Sequence, residues 1–294
     1  MSHDDSRRHH SIFVGIDSDG CAFDTMEIKH RRCFAPEYVR WFGLEAHGEA
    51  AEEVWHFVNL YSPTRGINRY TALAKTLRLL PGHPALASAP EAPALPAFHR
   101  WVETAEALSA ESLTREIQRV GLSSQEGHDL EMVRRWSEAV DRSFEEIVAE
   151  VEPFVGVAEA LQELRHSADV AVISHAPTAV LRRQWALYGL EEWVDAINGQ
   201  ETGKKGQHLA TARKSGGYAP SRMLMIGDAP GDFAAARSVE AWFYPILPGA
   251  EQTSWEQFRR EAWPQFLEGR WDTDYQNHLL KEFYDRLPAV PPWE

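Results

Sequence analysis

With 294 residues, 44 acidic against 30 basic side chains and a net charge of −14 with histidine neutral, the chain has material for one large or two ordinary domains. Its overall field repels a phosphate backbone, which argues against nucleic-acid partners, while a small anionic molecule remains compatible if a local cation meets it. Two cysteines, Cys21 and Cys33, form neither a disulfide framework nor a C-x-x-C pair; no apolar run approaches the ~20 residues that span a bilayer, so a soluble, cytoplasmic protein without membrane contact is expected.

In chain order, the first apolar run is SIFVGI, Ser11 to Ile16, and it stops at Asp17-Ser18-Asp19-Gly20. In an extended segment residues i and i+2 share a side, so Asp17 and Asp19 crowd one edge, and Gly20 permits a turn that a Cβ resists. An ordinary Asp-rich turn would use the same letters. A long insertion follows, roughly 26–149, rich in helix formers and aromatics. Within it Leu130, Val133, Trp136, Val140, Phe144 and Ile147 recur at helical spacing, whereas the proline-rich stretch 81–96 predicts a semi-rigid connector. Arg65 and Arg69 flank Gly66 and Asn68; two guanidinium groups so placed suit recognition of a carboxylate or phosphate and are candidate substrate contacts. Pairing with nearby acids such as Glu52 and Glu53 is the competing reading.

Beyond the insertion, helical patterns alternate with short apolar runs. GVAEALQELRHS predicts a helix, VAVI (170–173) a strand ending at Ser174-His175, and Pro177 to Leu187 another helix. DAI (195–197) predicts a short strand, and ETGKKGQ places Lys204 and Lys205 just before a helical stretch. MLMI (223–226) predicts a strand leading to Gly227-Asp228, with Asp232 four residues on at a helix start, and AWFYPI (241–246) a last strand. Apolar runs without alternation suit strands covered on both faces, so the fold class is α/β with a parallel sheet, whose ligands bind beyond the carboxyl ends of the strands. Trp255, Trp263 and Trp271 in the remaining helical segment, 251–294, read as a tail packed onto the core in preference to a ligand platform.

The polar strand ends suit one reaction, phosphoryl transfer through an aspartyl intermediate. Asp17 would attack phosphorus, Asp19 would protonate the leaving oxygen and later deprotonate water, and Ser174 would hold a phosphoryl oxygen. A lysine supplies the point charge that offsets repulsion between carboxylate and phosphate. Asp228 and Asp232, with the acids of the first motif, offer the oxygen donors that Mg2+ prefers. A plain turn and helix cap would also explain Asp228 and Asp232. A calcium loop fits worse, because Cys21 falls at a ligand position and Ala22 at the required glycine.

This ordered set of motifs resembles the haloacid dehalogenase superfamily, mainly magnesium-dependent phosphatases, over residues 11–24 and 153–248. DSDG is similar to the family's D-x-D-G, Ser174 to its Ser/Thr motif and GDAPGD to its acidic metal motif. The resemblance implies a discontinuous Rossmann-like core (11–25 and 150–250) and an inserted, mainly helical cap domain (26–149, with the connector 81–96); the C-terminal helical extension (251–294) lies outside it and is read from its own helical pattern. The resemblance also implies Asp17, Asp19, Ser174 and a lysine as catalytic residues, and Asp17, Asp19, Asp228 and Asp232 as Mg2+ ligands. Gly20, His175, Arg65 and Arg69 are the expected substrate contacts. Lys205 precedes Asp228 by 23 residues and Lys204 by 24, so spacing does not choose; Lys205 is preferred. His175 stands where many relatives carry asparagine, and Cys21 where threonine or valine is common. Members with dehalogenase chemistry generally lack the second acid, so Asp19 favours phosphate esters of small metabolites. A phosphomutase with the same nucleophile and a noncatalytic ligand-binding protein are the alternatives.

Overall fold

The structure, a computed structural model, describes residues 10–87, 93–147 and 151–294. Its contacts divide the described chain into two units, residues 10–26 with 151–287 and residues 27–147 with 288–294.

The first unit is built on five parallel strands: β1 (Phe13–Ile16), β2 (Asp169–Ile173), β3 (Ala196–Asn198), β4 (Met223–Gly227) and β5 (Trp242–Pro245). Every residue of β1, β2 and β4 is buried, which is why their sequences show no polar alternation. Alternate side chains Phe13, Ala171, Ile173, Met223, Met225 and Phe243 form one core with Leu209, Ala235, Ala236 and Phe283, so the helices Lys205–Gly216, Pro230–Ser238 and Thr273–Asp285 cover that face. The strand order is β3-β2-β1-β4-β5. From β1 the chain steps outward through β2 to β3, then returns to the other side of β1 as β4. The connections therefore diverge between β1 and β4, the switch point at which open parallel sheets leave a crevice.

The helical tail belongs to this unit as far as Leu287. Trp255, Trp263 and Trp271 are buried, and Gln276 donates to and accepts from the Phe243 backbone at 2.9 Å. That side-chain amide replaces a neighbouring strand along β5, an outer strand of the sheet. Packing, not ligand presentation, accounts for these tryptophans.

The second unit is helical. Helices Gly48–Leu60, Arg69–Leu79, Pro96–Thr104, Ala110–Val120 and Gln125–Ile147 surround Phe34, Tyr38, Trp55, Phe98 and Trp136. The sequence places Val133, Trp136 and Val140 on the buried face of Gln125–Ile147, and all three are fully buried. Within the proline-rich stretch the chain makes two short turns, Leu80–Gly82 and Pro84–Leu86, and a helix begins at Pro96; residues 88–92 lie outside the described residues. Near the C-terminus Trp293 packs edge-on against Phe57 at 5.5 Å between ring centres. Among the described residues no helix is long and apolar enough to cross a membrane.

Candidate active site

Asp17 follows β1 directly, and its N–H donates to the Ile226 carbonyl at 2.9 Å, so the ladder between β1 and β4 continues through it. The register aligns Ile16 with Val172 and with Ile226. Asp17 is thus level with Ile173 and Gly227, and Ser174 and Asp228 stand one step beyond it on the flanking strands. Past Asp17 the chain turns sharply: the Ser18 carbonyl accepts the N–H groups of Ala22 and Phe23 at 2.9 and 3.0 Å. Gly20 makes the turn with φ 77°, a conformation that costs a Cβ-bearing residue, and its N–H donates to the Phe23 carbonyl at 2.8 Å.

The two acids of this turn meet different surroundings. Asp17 is buried, its Oδ1 accepting the Ser18 N–H at 2.7 Å and its Oδ2 lying 2.5 Å from the Lys205 ammonium. Asp19 is half-buried, and its Oδ1 accepts the Thr25 hydroxyl at 2.7 Å.

Lys205 opens the helix Lys205–Gly216 and points inward, while Lys204, extended just before it, is exposed. The helix start thus separates two residues that spacing could not. The buried ammonium also lies 2.6 Å from Asp232 Oδ1. Burial alone would lower its pKa; Asp17 and Asp232 outweigh that and raise it, so the group stays charged. Asp232 sits in the first turn of Pro230–Ser238, and its Oδ2 accepts the Ala229 N–H at 3.1 Å. Gly227 leaves room for that carboxylate, since a Cβ there would stand 2.4 Å from Asp232 Cγ. Burial pushes the Asp232 carboxyl upward, Lys205 opposes this, and Asp17 and Asp228 add to it.

Asp228, at the end of β4, completes a group in which Asp17, Asp228 and Asp232 each offer an oxygen within 4.8 Å of the others, all three residues buried. One ammonium among three carboxylates leaves two negative charges in excess when all are ionised. A compact, all-oxygen, electron-rich set of this kind fits a hard divalent cation such as Mg2+ in preference to a softer metal. The Asp19 side chain, expected among the ligands, lies outside this group of three and is held by Thr25.

Ser174 ends β2, with its N–H donating to the Asn198 carbonyl at 3.0 Å and its hydroxyl accepting the Ala176 N–H at 3.2 Å; His175 beside it is exposed. The arginines lie in the helical unit. Arg65 is buried and Nη1 donates to the Leu60 carbonyl at 3.0 Å. Arg69 pairs with Asp141 at 2.7 Å, donates to the Ser137 hydroxyl at 3.0 Å and lies over the Phe34 ring. Its acidic partner is therefore Asp141, on the helix Gln125–Ile147, while Glu53 meets His83 at 3.1 Å. Two contributors escaped sequence reasoning, Thr25 and Gly227. Thr25 carries no signal beyond a hydroxyl shortly after the turn, whereas a glycine directly before the acidic motif was there to be read.

Residues 102–244 match the family model described as haloacid dehalogenase-like hydrolase, just under half of the chain and including Ser174, Lys205, Asp228 and Asp232. A search of curated proteins finds no match. Among solved structures the chain is similar to a haloacid dehalogenase-like family hydrolase from Streptococcus pneumoniae, at 15% identity and TM-score 0.49, covering 84% of this chain and 91% of that one. A haloacid dehalogenase-like family hydrolase from Xanthomonas campestris gives 14% identity and TM-score 0.48 over 90% of this chain and 97% of its own. A predicted phosphoglycolate phosphatase from Haemophilus somnus gives 13% identity and TM-score 0.47 over 83% and 92%. The matched stretch takes in β2, β3, β4 and most of β5 and carries three of the four motifs, so this part of the chain is similar to the haloacid dehalogenase-like hydrolases.

Proposed function

We propose that the protein is a magnesium-dependent phosphatase that hydrolyses a small phosphorylated metabolite through an aspartyl-phosphate at Asp17. One observation carries this reading: a buried lysine joins Asp17 to Asp232 inside a cluster of three buried carboxylates, at the switch point of a parallel sheet. A cluster so rich in negative charge is costly to bury, and its natural complement is a cation together with a phosphoryl group.

Asp17 Oδ is the nucleophile, and its attack on phosphorus expels the substrate oxygen. Lys205 lowers the repulsion between that carboxylate and the phosphoryl oxygens. Asp19, half-buried and held by Thr25, gives its proton to the departing oxygen and then takes one from the water that cleaves the acyl phosphate. The Ser174 hydroxyl, one step along the adjacent strand, donates to a phosphoryl oxygen. Asp17, Asp228 and Asp232 would hold Mg2+, which when bound supplies charge neutralisation at the phosphoryl group. The inserted helical unit is the part we assign to substrate choice, with Arg69 as its candidate anion contact.

A panel of phosphorylated small molecules, assayed for free phosphate with and without Mg2+ and repeated with Asp17→Asn, tests the proposal. Mg2+-dependent phosphate release by the wild type and none by the variant is expected. Transfer products without free phosphate would replace the reading with a mutase. Silence across the panel, or turnover by Asp17→Asn, would overturn it.

A further inference from the structure

We infer that Trp255, in the helical tail beyond the family match, is a positioning residue for the turn that carries Asp19, and that it acts together with Trp185. The inference rests on the phosphatase reading above.

The turn is held at both sides of Asp19 by indole N–H groups from distant parts of the same unit. Trp185, on the helix Thr178–Leu187, donates from Nε1 to Ser18 Oγ at 3.0 Å. Trp255, on Glu251–Gln257, donates from Nε1 to the Cys21 carbonyl at 2.9 Å. Ser18, Cys21, Trp185 and Trp255 are all fully buried, so neither acceptor has water to fall back on. Other groups of the turn's backbone bond within it or to the chain beyond: the Gly20 N–H donates to the Phe23 carbonyl, and the Ala22 carbonyl accepts the Phe154 N–H at 2.9 Å. Trp185 also meets the Phe23 ring edge-on at 5.8 Å between centres. Gly156 makes space for the second clamp, because a Cβ there would come within 3.2 Å of Trp255 Cβ.

Asp17 depends on these clamps less than Asp19 does. It is tied to β4 through its own N–H and to Lys205 through its carboxylate. Asp19 has its carboxylate held by the Thr25 hydroxyl at 2.7 Å, on the same stretch of chain that the clamps fix, so its position follows Ser18 on one side and Gly20 and Cys21 on the other. Loss of a clamp therefore displaces the proton donor while the nucleophile stays in place. The kinetic signature is specific: substrates that need protonation of the leaving oxygen suffer, and those that do not are spared.

The test replaces Trp255 with β-(3-benzothienyl)alanine, which keeps the bicyclic shape and puts sulfur in place of the N–H; Trp255→Phe serves as a second variant. Steady-state rates are measured with Mg2+ on a series of phosphate esters of rising leaving-group pKa. The expected result is a steeper dependence on leaving group, with kcat down on the order of 10- to 100-fold for alkyl phosphates and little changed for 4-nitrophenyl phosphate. A uniform fall across the series, as fewer folded molecules would give, overturns the inference, and so does an unchanged profile. Trp263→Phe is the control within the tail, since that ring packs against Phe258 and Phe266. If it steepens the dependence equally, general loosening of the tail replaces positioning by Trp255. A wild type that releases no phosphate from any ester defeats the phosphatase reading itself, and the inference with it.

Discussion

Gly227→Ala tests how tightly the acidic cluster is built. An alanine Cβ at this position would lie 2.4 Å from both Cγ and Oδ2 of Asp232 and 2.6 Å from its Cβ. An ordinary contact begins near 3.4 Å, so the carboxylate must retreat by roughly 1 Å, and a displacement of that size near a reacting centre costs on the order of 100-fold in rate. Retreat is resisted: Asp232 is fully buried, one oxygen is held by Lys205 at 2.6 Å and the other by the Ala229 N–H at 3.1 Å. Overpacking of this kind costs about 1–3 kcal/mol, which in a unit of this size lowers Tm by about 2–4 °C per kcal/mol. Calorimetric titration with Mg2+ should show affinity reduced by about 10- to 100-fold, the range seen when groups that orient metal ligands are disturbed. Gly231→Ala, in the same helix start, is the control, since a Cβ there meets nothing within 4 Å. Wild-type Mg2+ affinity and melting temperature in Gly227→Ala would refute the argument that this glycine makes room for Asp232.

Lys205→Met removes the cation from a buried group of carboxylates and should cost about 3–5 kcal/mol, read as a lower urea midpoint; an unchanged midpoint would remove the ion pair from the account. Asp19→Asn should abolish hydrolysis of alkyl phosphates while retaining a first turnover on 4-nitrophenyl phosphate, whose oxygen leaves without a proton; equal losses on both would take the acid role from Asp19. In the helical unit, burial holds the His30 imidazole well below its ordinary value, and its Nδ1 accepts the Trp55 indole N–H at 3.1 Å. The folded pKa is depressed, so the stability involved is whole above about pH 6.5 and is lost as pH falls from there toward the folded value, by at most about 1.4 kcal/mol per pH unit. Urea midpoints of the wild type should fall between pH 7 and pH 5, and the fall should be shallower in His30→Phe; identical slopes would contradict this.

The strands that carry the site were legible because they are buried on both faces: FVGI, VAVI and MLMIG read as uninterrupted apolar runs, each ending where a polar side chain begins, and only the first residue of β2, Asp169, lies outside the run. The short strand β3 is offset by one residue from the run DAI, because Asp195 turns its carboxylate onto the Val170 N–H and stands before the strand instead of within it. Lys205 was separable from Lys204 only once the helix start was placed, since adjacent residues at that point face opposite ways. Arg69 was visible as an isolated guanidinium, but its partner Asp141 lies 72 residues on, beyond the reach of local pattern. The same holds for the indole clamps, which act across 167 and 234 residues. Their bonds depend on the closed sheet and the packed tail together, and no spacing in the sequence encodes them.

The central claim is that phosphorus is attacked by Asp17, and trapping the acyl phosphate tests it most directly. Asp19→Asn is the enzyme of choice, because on the proposed mechanism 4-nitrophenyl phosphate should still phosphorylate it while the water step, which would need the base, should be slowed. Acid quenching during turnover with Mg2+, followed by borohydride reduction and peptide mass spectrometry, should convert residue 17 to homoserine and leave Asp228 and Asp232 as aspartate. Reduction at any other carboxylate, or an active enzyme in which residue 17 is never modified, would contradict the account.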